Sequence, residues 1–274
     1  MSDNLLSLFE QLDNSHDDKR LYKRCPLNYV GSKRETLQPI LSLLPYRNTW
    51  VDVFGGSGVV TLARKPSKLD VYNDRHSGIC AFYRALKERP QELLAQIELM
   101  PHARELFEWA KATEHLDTDD VVRGAKWYYL IQASFGGKYD CWGRVTSGKN
   151  TILNKLFNNL KLFPIVHERI KKLQIENLDW QQIIKDYDGH DVVFYFDPPY
   201  VDSNQYSHTM SYADHHKLCQ AIMELDGFCA LSGYDNEIYN SYDWSGKHVF
   251  DLKNRISSPS DRGTVRLECL WIKE

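Results

Sequence analysis

The sequence predicts an α/β fold: a mostly parallel sheet, an antiparallel hairpin at the C-terminal end, and a helical insert in mid-chain. Three observations predict it. Trp50-Val51-Asp52-Val53-Phe54 runs into Gly55-Gly56-Ser57-Gly58 and then a helical pattern, the strand, glycine loop and helix that open a nucleotide-binding α/β sheet. Val192-Val193-Phe194-Tyr195-Phe196 is too short for a helix and rich in β-formers, so it reads as a fully buried strand. Residues 249–252 and 265–272 alternate like the arms of an antiparallel pair.

Composition narrows the function classes. At 274 residues the chain suits one α/β core with an inserted subdomain better than two full domains. Hydrophobic residues at 42% and charged residues at 26% are ordinary for a soluble globular protein. No apolar run approaches the roughly 18 residues of a membrane span, and residues 1–19 lack the apolar region of a signal peptide. A cytoplasmic protein is expected. The six cysteines form no C-x-x-C pair, so free thiols are expected, several of them buried. The histidines are dispersed, with His215-His216 reading as helix surface, and no metal site is expected.

Charge is uneven. The net charge of −3 argues against a general polyanion binder. Residues 122–172, however, carry ten Lys and Arg against two acids, and residues 176–243 carry thirteen acids against two lysines. Arg20, Lys23, Arg24, Lys33 and Arg34 form a further basic cluster. A face of one sign can hold a polyanion, although such runs are more often solvated surface.

Along the chain, residues 2–13 suit a short amphipathic helix and residues 14–19 a polar linker. Ser32 with Glu35 three residues on reads as a capping box, opening a helix through Leu37, Ile40, Leu41 and Leu44 that stops at Pro45. The helix start, with Lys33 beside it, suits a carboxylate or phosphate, or is simply a capped helix. The glycine loop that follows the first strand matches neither G-x-G-x-x-G nor the phosphate loop, so a dinucleotide or triphosphate is not the first expectation. A second short strand, residues 69–74, ends at Asp74, about where such folds set a carboxylate on ribose hydroxyls.

A helix over residues 79–87 then stops at Pro90, and the α/β rhythm is lost until residue 164. Helices are expected at 93–100, 104–113 and 121–134. Residues 135–150 mix glycines, aromatics and basic residues, as in a hairpin or loop with little core. Exposed Tyr139 and Trp142 beside Lys138, Arg144 and Lys149 would suit base stacking and phosphate contact; the alternative is a surface hairpin whose aromatics fold back. A helix over 155–172, a strand at 173–177, the pair Asp179-Trp180 and a helix at 181–186 lead to the buried strand. Beyond it come a polar loop with Tyr206, Ser207 and His208, a helix at 213–224 and a strand at 228–231.

Asp197-Pro198-Pro199-Tyr200 closes the buried strand. Neither proline donates a backbone hydrogen bond, and each stiffens the residue before it. Acceptor oxygens of Asp197 and Pro198 are thereby left facing a cleft, with Tyr200 as an aromatic plate. Taken alone, the stretch is more often a strand ending in a turn.

With the glycine loop, the stretch resembles the S-adenosylmethionine-dependent DNA adenine N6-methyltransferases of the Dam type, the alpha-ordered group. Four blocks carry the resemblance in that family's order: Asn28-Tyr29-Val30-Gly31-Ser32-Lys33, Asp52-Val53-Phe54-Gly55-Gly56-Ser57-Gly58, Tyr72-Asn73-Asp74 and Asp197-Pro198-Pro199-Tyr200. Asp179-Trp180 and the closing Arg266, Glu268 and Trp271 are similar too. The middle third matches only in kind.

The resemblance implies a Rossmann-like methyltransferase fold with a catalytic domain in two pieces, 26–90 and 167–274, a target-recognition insert at 91–166, and an N-terminal extension at 1–25. It implies S-adenosylmethionine as cofactor, double-stranded DNA as partner and a flipped adenine as acceptor, with no metal and no membrane. A monomer or weak dimer is expected, in a bacterial cell or phage-infected host, serving restriction-modification, a phage or the cell's own marking. Asp197 and Pro198 would accept the amine's two N–H groups, Pro199 would fix the turn, and Tyr200 would stack on the base. Tyr29, Lys33, Phe54, Gly55, Gly56, Ser57, Gly58, Asp74, Asp179 and Trp180 would bind the cofactor, with Lys33 on the methionine carboxylate, Asp74 on the ribose and Asp179-Trp180 on the adenine. Lys138, Tyr139, Trp142, Arg144 and Lys149 would meet DNA, one aromatic acting as wedge. The insert shows Ser134-Phe135-Gly136-Gly137 where the family often has Asn and Arg, so the recognised sequence is not legible.

Three rivals stay open. Methylation of ribosomal RNA adenine shares Asp-Pro-Pro-Tyr but does not need the insert. Protein glutamine methylation usually pairs with Asn-Pro-Pro-Tyr. A cofactor-less DNA-binding module would not bind S-adenosylmethionine.

Overall fold

The computed structural model describes residues 25–27, 33–137, 139–144, 151–201, 209–250 and 267–274. Its centre is a seven-stranded sheet: β1 (Thr49–Asp52), β2 (Leu69–Asn73), β3 (Leu173–Glu176), β4 (Val192–Phe196), β5 (Phe228–Tyr234), β6 (Gly246–Phe250) and β7 (Glu268–Lys273). The order is β3-β2-β1-β4-β5-β7-β6; β3 to β5 run parallel, and β7 is antiparallel to both β5 and β6. The mostly parallel sheet and its antiparallel end are as expected. Strand β5 runs past residue 231 to Tyr234 because β7 pairs with it out to Tyr234–Glu268.

Alternate side chains of the sheet feed two apolar layers. Trp50, Tyr72, Val193 and Tyr195 face a large core shared with α3 (Ser77–Glu88), α4 (Pro90–Glu98), α5 (Arg104–Thr113), α6 (Asp120–Ala133), α7 (Thr151–Leu160) and α8 (Phe163–Ile170), numbered after α1 (Leu37–Leu43) and α2 (Val59–Ala63). Val51, Val71, Phe194 and Phe196 face a second layer with α9 (Trp180–Tyr187), α10 (Tyr212–Glu224) and the short α11 (Glu237–Asn240). All five residues of β4 are buried, as a central strand covered on both faces must be.

The insert helices form where the apolar periodicity sets them, but they do not stand apart. Gly124 lets α6 lie against α3 so closely that a Cβ there would sit 2.7 Å from the Phe82 Cα. Tyr128 stacks on Phe82 with centroids 5.5 Å apart. Segment 91–166 therefore shares one core with the sheet.

Several local expectations are corrected. The helix of residues 155–172 is two helices, the second with Pro164 in its first turn, where a missing N–H costs nothing. Pro90 opens α4 as well as stopping α3. The first helix starts at Leu37, not after Ser32, and its N-cap Thr36 makes no side-chain cap. Residues before it are held in turns by Arg34, whose guanidinium donates to the carbonyls of Cys25 and Leu27. Ser32 and residues 1–24 lie outside the described residues. His215 is buried against Tyr239 rather than on the surface; His216 is the exposed one. Much of the basic excess is consumed internally, with Arg123 on Glu114, Lys126 on Asp117, Arg169 on Asp70 and Lys171 on Glu168.

Five of the six cysteines are buried and all are free, as expected. Among the described residues no helix is long and apolar enough to cross a membrane, and no cluster of His, Cys, Asp or Glu could hold a metal.

Candidate active site

After β1 the chain builds β2 and β3 on one side, then returns to place β4 on the other. The crevice outside the C-terminal ends of β1 and β4 is thus a topological switch point, where open α/β sheets bind ligands. Strand register sets the acids there. Asp52 pairs level with Tyr72 and Tyr195, so Asp74 and Asp197 follow two residues beyond the same line.

The glycine loop is packed into shape. A Cβ on Gly55 would lie 2.1 Å from the Tyr72 ring, and Gly58 takes φ +67° to start α2, so a side chain is excluded at one and strained at the other. Tyr72 and Tyr83 hydroxyls donate to the carbonyls of Gly56 and Ser57 at 2.7 and 2.6 Å. Asn73 stitches the walls together, donating to the Val53 and Leu178 carbonyls and accepting from the Leu178 N–H. Phe54, Gly55, Gly56, Ser57, Asp74, Asp179 and Trp180 all line the resulting cleft, as do Lys33, Asp197 and Pro199. Gly58 acts behind it as the N-cap of α2.

Each cofactor-side acid has a distinct environment. Asp74 accepts from the N–H groups of Gly56 and His76 at 2.8 and 2.7 Å, which aims its carboxylate along the cleft wall. Asp179 caps α9 and pairs with Arg75 at 3.1 Å, leaving the half-buried Trp180 beside it. Asp52, buried, accepts from the Thr61 hydroxyl through Oδ2 at 2.6 Å. Its Oδ1 has no partner among the described residues. Burial pushes the Asp52 carboxyl up to about 7, helped by Asp197 and Asp74 and opposed by Thr61 and Lys33.

The Asp197-Pro198-Pro199-Tyr200 end of β4 is tighter than expected. Lys33 Nζ donates to both Asp197 oxygens at 2.6 Å and lies 3.6 Å from Glu268 Oε1. It also sits 4.8 Å from the centroid of the Tyr200 ring. Burial pushes the Asp197 carboxyl up to about 6, against the pull of Lys33. Lys33 thus rests on Asp197 while also lining the cleft. One expectation is corrected, that of Tyr200 as an open plate on the cleft. Tyr200 is buried, its hydroxyl on Glu268 and its ring edge-on to Tyr234 at 4.6 Å, with Lys33 over its face.

In the segment expected to meet DNA, the exposure of the two aromatics is corrected in favour of the alternative in which they fold back. Tyr139 is half-buried, its hydroxyl donating to Glu114 at 3.2 Å and its ring against His76. Trp142 is clasped between His102, stacked at 5.0 Å, and the Arg104 guanidinium. Neither ring is the exposed plate expected; a Ser134–Trp142 bridge folds both back on the core. Arg144 is exposed, and so is Phe135. Tyr29, Lys138 and Lys149 lie outside the described residues.

Asp52 and Glu268 stand in stretches that carry the resemblance but had no role assigned from the sequence. Asp52 had a signal, an acid at a strand end just before a glycine loop. Thr209, Met210, Asp214 and Lys217 line the far wall and had none. Glu268 follows Tyr200 by 68 residues and comes to it only through the β5–β7 pairing.

A switch-point cleft lined by a glycine loop, by Asp52, Asp74 and Asp179, and by Asp197 and Pro199 at the end of β4 is the site of an α/β enzyme with a small-molecule ligand. The chain belongs to the D12 class of N6 adenine-specific DNA methyltransferases, whose model matches residues 29–255. It is 29% identical over 271 residues to the Type II methyltransferase M1.LlaDCHI of Lactococcus lactis subsp. cremoris, covering 86% of this chain and 91% of that one. It is 26% identical to modification methylase StsI of Streptococcus sanguinis and 25% to modification methylase LlaI of Lactococcus lactis subsp. lactis. Those matches cover 66% and 65% of this chain but 29% and 30% of theirs. The chain is thus an S-adenosylmethionine-dependent enzyme that methylates the N6 amine of a flipped-out adenine in DNA.

Proposed function

We propose that Asp197 and Pro198 accept the two N–H groups of the target amine, while Tyr200 flanks the base and Pro199 holds the turn. Adenine's exocyclic amine is a poor nucleophile because its lone pair is delocalised into the ring. Two acceptors draw the nitrogen towards sp³ geometry and aim the lone pair. The cofactor supplies a methyl group already activated by its sulfonium. Orientation for in-line attack then supplies most of the acceleration, up to ~7–11 kcal/mol in well-aligned cases. Asp197 need not be a strong base, since the amine can lose its proton after transfer.

The observation that carries this reading is the seat of Lys33. A nitrogen with several N–H groups sits 2.6 Å from both Asp197 oxygens and on the face of Tyr200. A target amine attached to a flat base would use the same seat. Lys33 yields that seat when the base enters, its three N–H groups letting it meet the methionine carboxylate while it stays on the second buried acid, Glu268, 3.6 Å away; flipping the base costs a few kcal/mol.

For the cofactor, Asp52 Oδ1 is a buried acid oxygen open to a cationic ligand. An ammonium fits it, Asp74 suits the ribose hydroxyls, and Asp179 with Trp180 suits the adenine. Phe54 and the glycine loop 55–58 suit the methionine part, and Tyr29, outside the described residues, is a further cofactor contact that the resemblance implies. Segment 91–166 is the target-recognition insert, with Arg144, Lys138 and Lys149 on the phosphates. Phe135, exposed where Tyr139 and Trp142 are not, is the better candidate for an aromatic that meets bases. The enzyme works as a monomer or weak dimer in the cytoplasm of a bacterium or phage-infected host, as the modification arm of a restriction system.

Competition for labelled methyl between duplex DNA and structured RNA tests the substrate: preference for RNA overturns the reading. Loss of product in Asp197→Ala supports the acceptor assignment, and retained turnover removes it.

A further inference from the structure

Glu268 is a buried acid that the roles above leave unused, and it stands behind the acceptor set. Its side chain is 4% exposed, at the first residue of β7. A single oxygen, Oε1, accepts from the Tyr200 hydroxyl at 2.5 Å and from the Ser232 hydroxyl at 3.2 Å. The same oxygen lies 3.6 Å from Lys33 Nζ. One atom therefore touches both the aromatic plate and the cation that occupies the amine's seat.

We propose that Glu268 is a positioning residue for methyl transfer: it fixes Tyr200 through its hydroxyl and keeps hold of Lys33 when the adenine amine displaces it from Asp197. The inference rests on the amine-acceptor reading of Asp197. Buried charges are costly when left alone, so an ammonium pushed off one carboxylate needs another close by. Glu268 is that second carboxylate, a short side-chain swing away. A neutral group in its place would make Lys33 compete with the amine for Asp197 throughout turnover.

Asp197 is faced by Lys33 ahead of α1, Asp52 at the end of β1, Tyr195 of β4, Tyr200 beyond it, Tyr239 of α11 and Glu268 of β7. The negative charge of Glu268 raises the Asp197 carboxyl; Lys33 lowers it. Removing Glu268's charge acts on Asp197 directly, and through a Lys33 left with one acid instead of two. Both effects lower the pH at which Asp197 ionises.

The test is Glu268→Gln, which keeps an acceptor for Tyr200 and Ser232 while removing charge, assayed on duplex DNA across pH. We expect kcat at neutral pH to fall about tenfold, and the acid limb of kcat to move to lower pH. In a Lys33→Met background the same substitution should cost threefold or less, since the interaction it removes is already gone. A limb that stays put, or equal losses in both backgrounds, overturns the proposal in favour of a packing role. Should Glu268→Gln not fold, Tyr200→Phe keeps the charge and cuts the tether. It should lower kcat and move the limb the other way, to higher pH, because the Tyr200 hydroxyl lowers the Asp197 carboxyl; full activity in Tyr200→Phe would equally overturn the positioning role. Asp197→Ala, which removes the acceptor, is run alongside. If it stays active the acceptor reading itself fails, whereas an inactive Asp197→Ala with an unmoved Glu268→Gln limb rejects the Glu268 inference alone.

Discussion

The two ends of one sheet bury charge in opposite ways. At the start of β2, Asp70 accepts from Arg64 at 2.8 Å, from Arg169 at 2.7 Å and from the Ser67 N–H at 3.0 Å. Arg64 also lies over Trp50, and all three charged side chains are buried. One acid meets two cations, and the cluster is closed. At the other end Asp52, Asp197 and Glu268 gather near Lys33, Asp74 lines the same cleft, and Arg75 and Lys217 are exposed on the rim. There the acids outnumber the buried cation, and burial holds Asp197 near 6 and Asp52 near 7. A closed cluster serves stability. An acid-rich cluster open to a cleft is a seat for something that brings N–H groups and positive charge.

The largest effect that separates the two is expected at Asp197. Asp197→Ala should lower kcat by about 10³-fold, within the range for removing a preorganised hydrogen-bonding group at the reacting centre. Its melting temperature should not fall, since the buried carboxylate is itself costly. Single-turnover methylation and calorimetry on the same sample check both. Asp70→Asn should do the reverse. Breaking a buried pair by losing one partner costs roughly 3–5 kcal/mol, or about 10 °C in melting temperature at this size. Its kcat on the folded enzyme should stay within twofold. A large kcat loss there would erase the distinction between the two ends.

Asp52 sharpens the comparison through pH. A carboxylate whose folded pKa is raised favours the protonated form, so the folded state loses stability as pH rises from the ordinary value of about 4 towards 7. Asp52→Asn should therefore raise the melting temperature at pH 8 and flatten that decline, while weakening S-adenosylmethionine binding about tenfold. Activity has the opposite slope: kcat should fall below pH 6, where Asp197 takes a proton and stops accepting from the amine. Equilibrium dialysis and a pH–rate profile separate the two trends. The smallest effect is expected at Arg144, whose replacement by Ala should reduce the salt slope of DNA affinity by about one. An unchanged slope would move the DNA face elsewhere.

The sheet and the acceptor turn were legible because their signals are local. β4 is an apolar run stopped by two prolines, and the glycine loop sits between a strand and a helix; both readings need only neighbours in sequence. The helices of the insert were legible for the same reason, through their apolar period. What failed depended on tertiary partners. Tyr139 and Trp142 sit in a glycine-rich, basic stretch and read as exposed, yet Glu114, His76, His102 and Arg104 wait for them from other elements. The contact of Lys33 with Asp197, 164 residues away, likewise had no signal near either residue. Glu268 joined the site through strand pairing that no residue near Tyr200 announces.

The most direct test of the charge argument is product analysis. Enzyme, labelled S-adenosylmethionine and duplex genomic DNA are incubated, and the nucleosides are separated by mass. The account predicts N6-methyladenine from the native enzyme and from Asp70→Asn, and none from Asp197→Ala. Methylcytosine as the product, or N6-methyladenine persisting in Asp197→Ala, would contradict it.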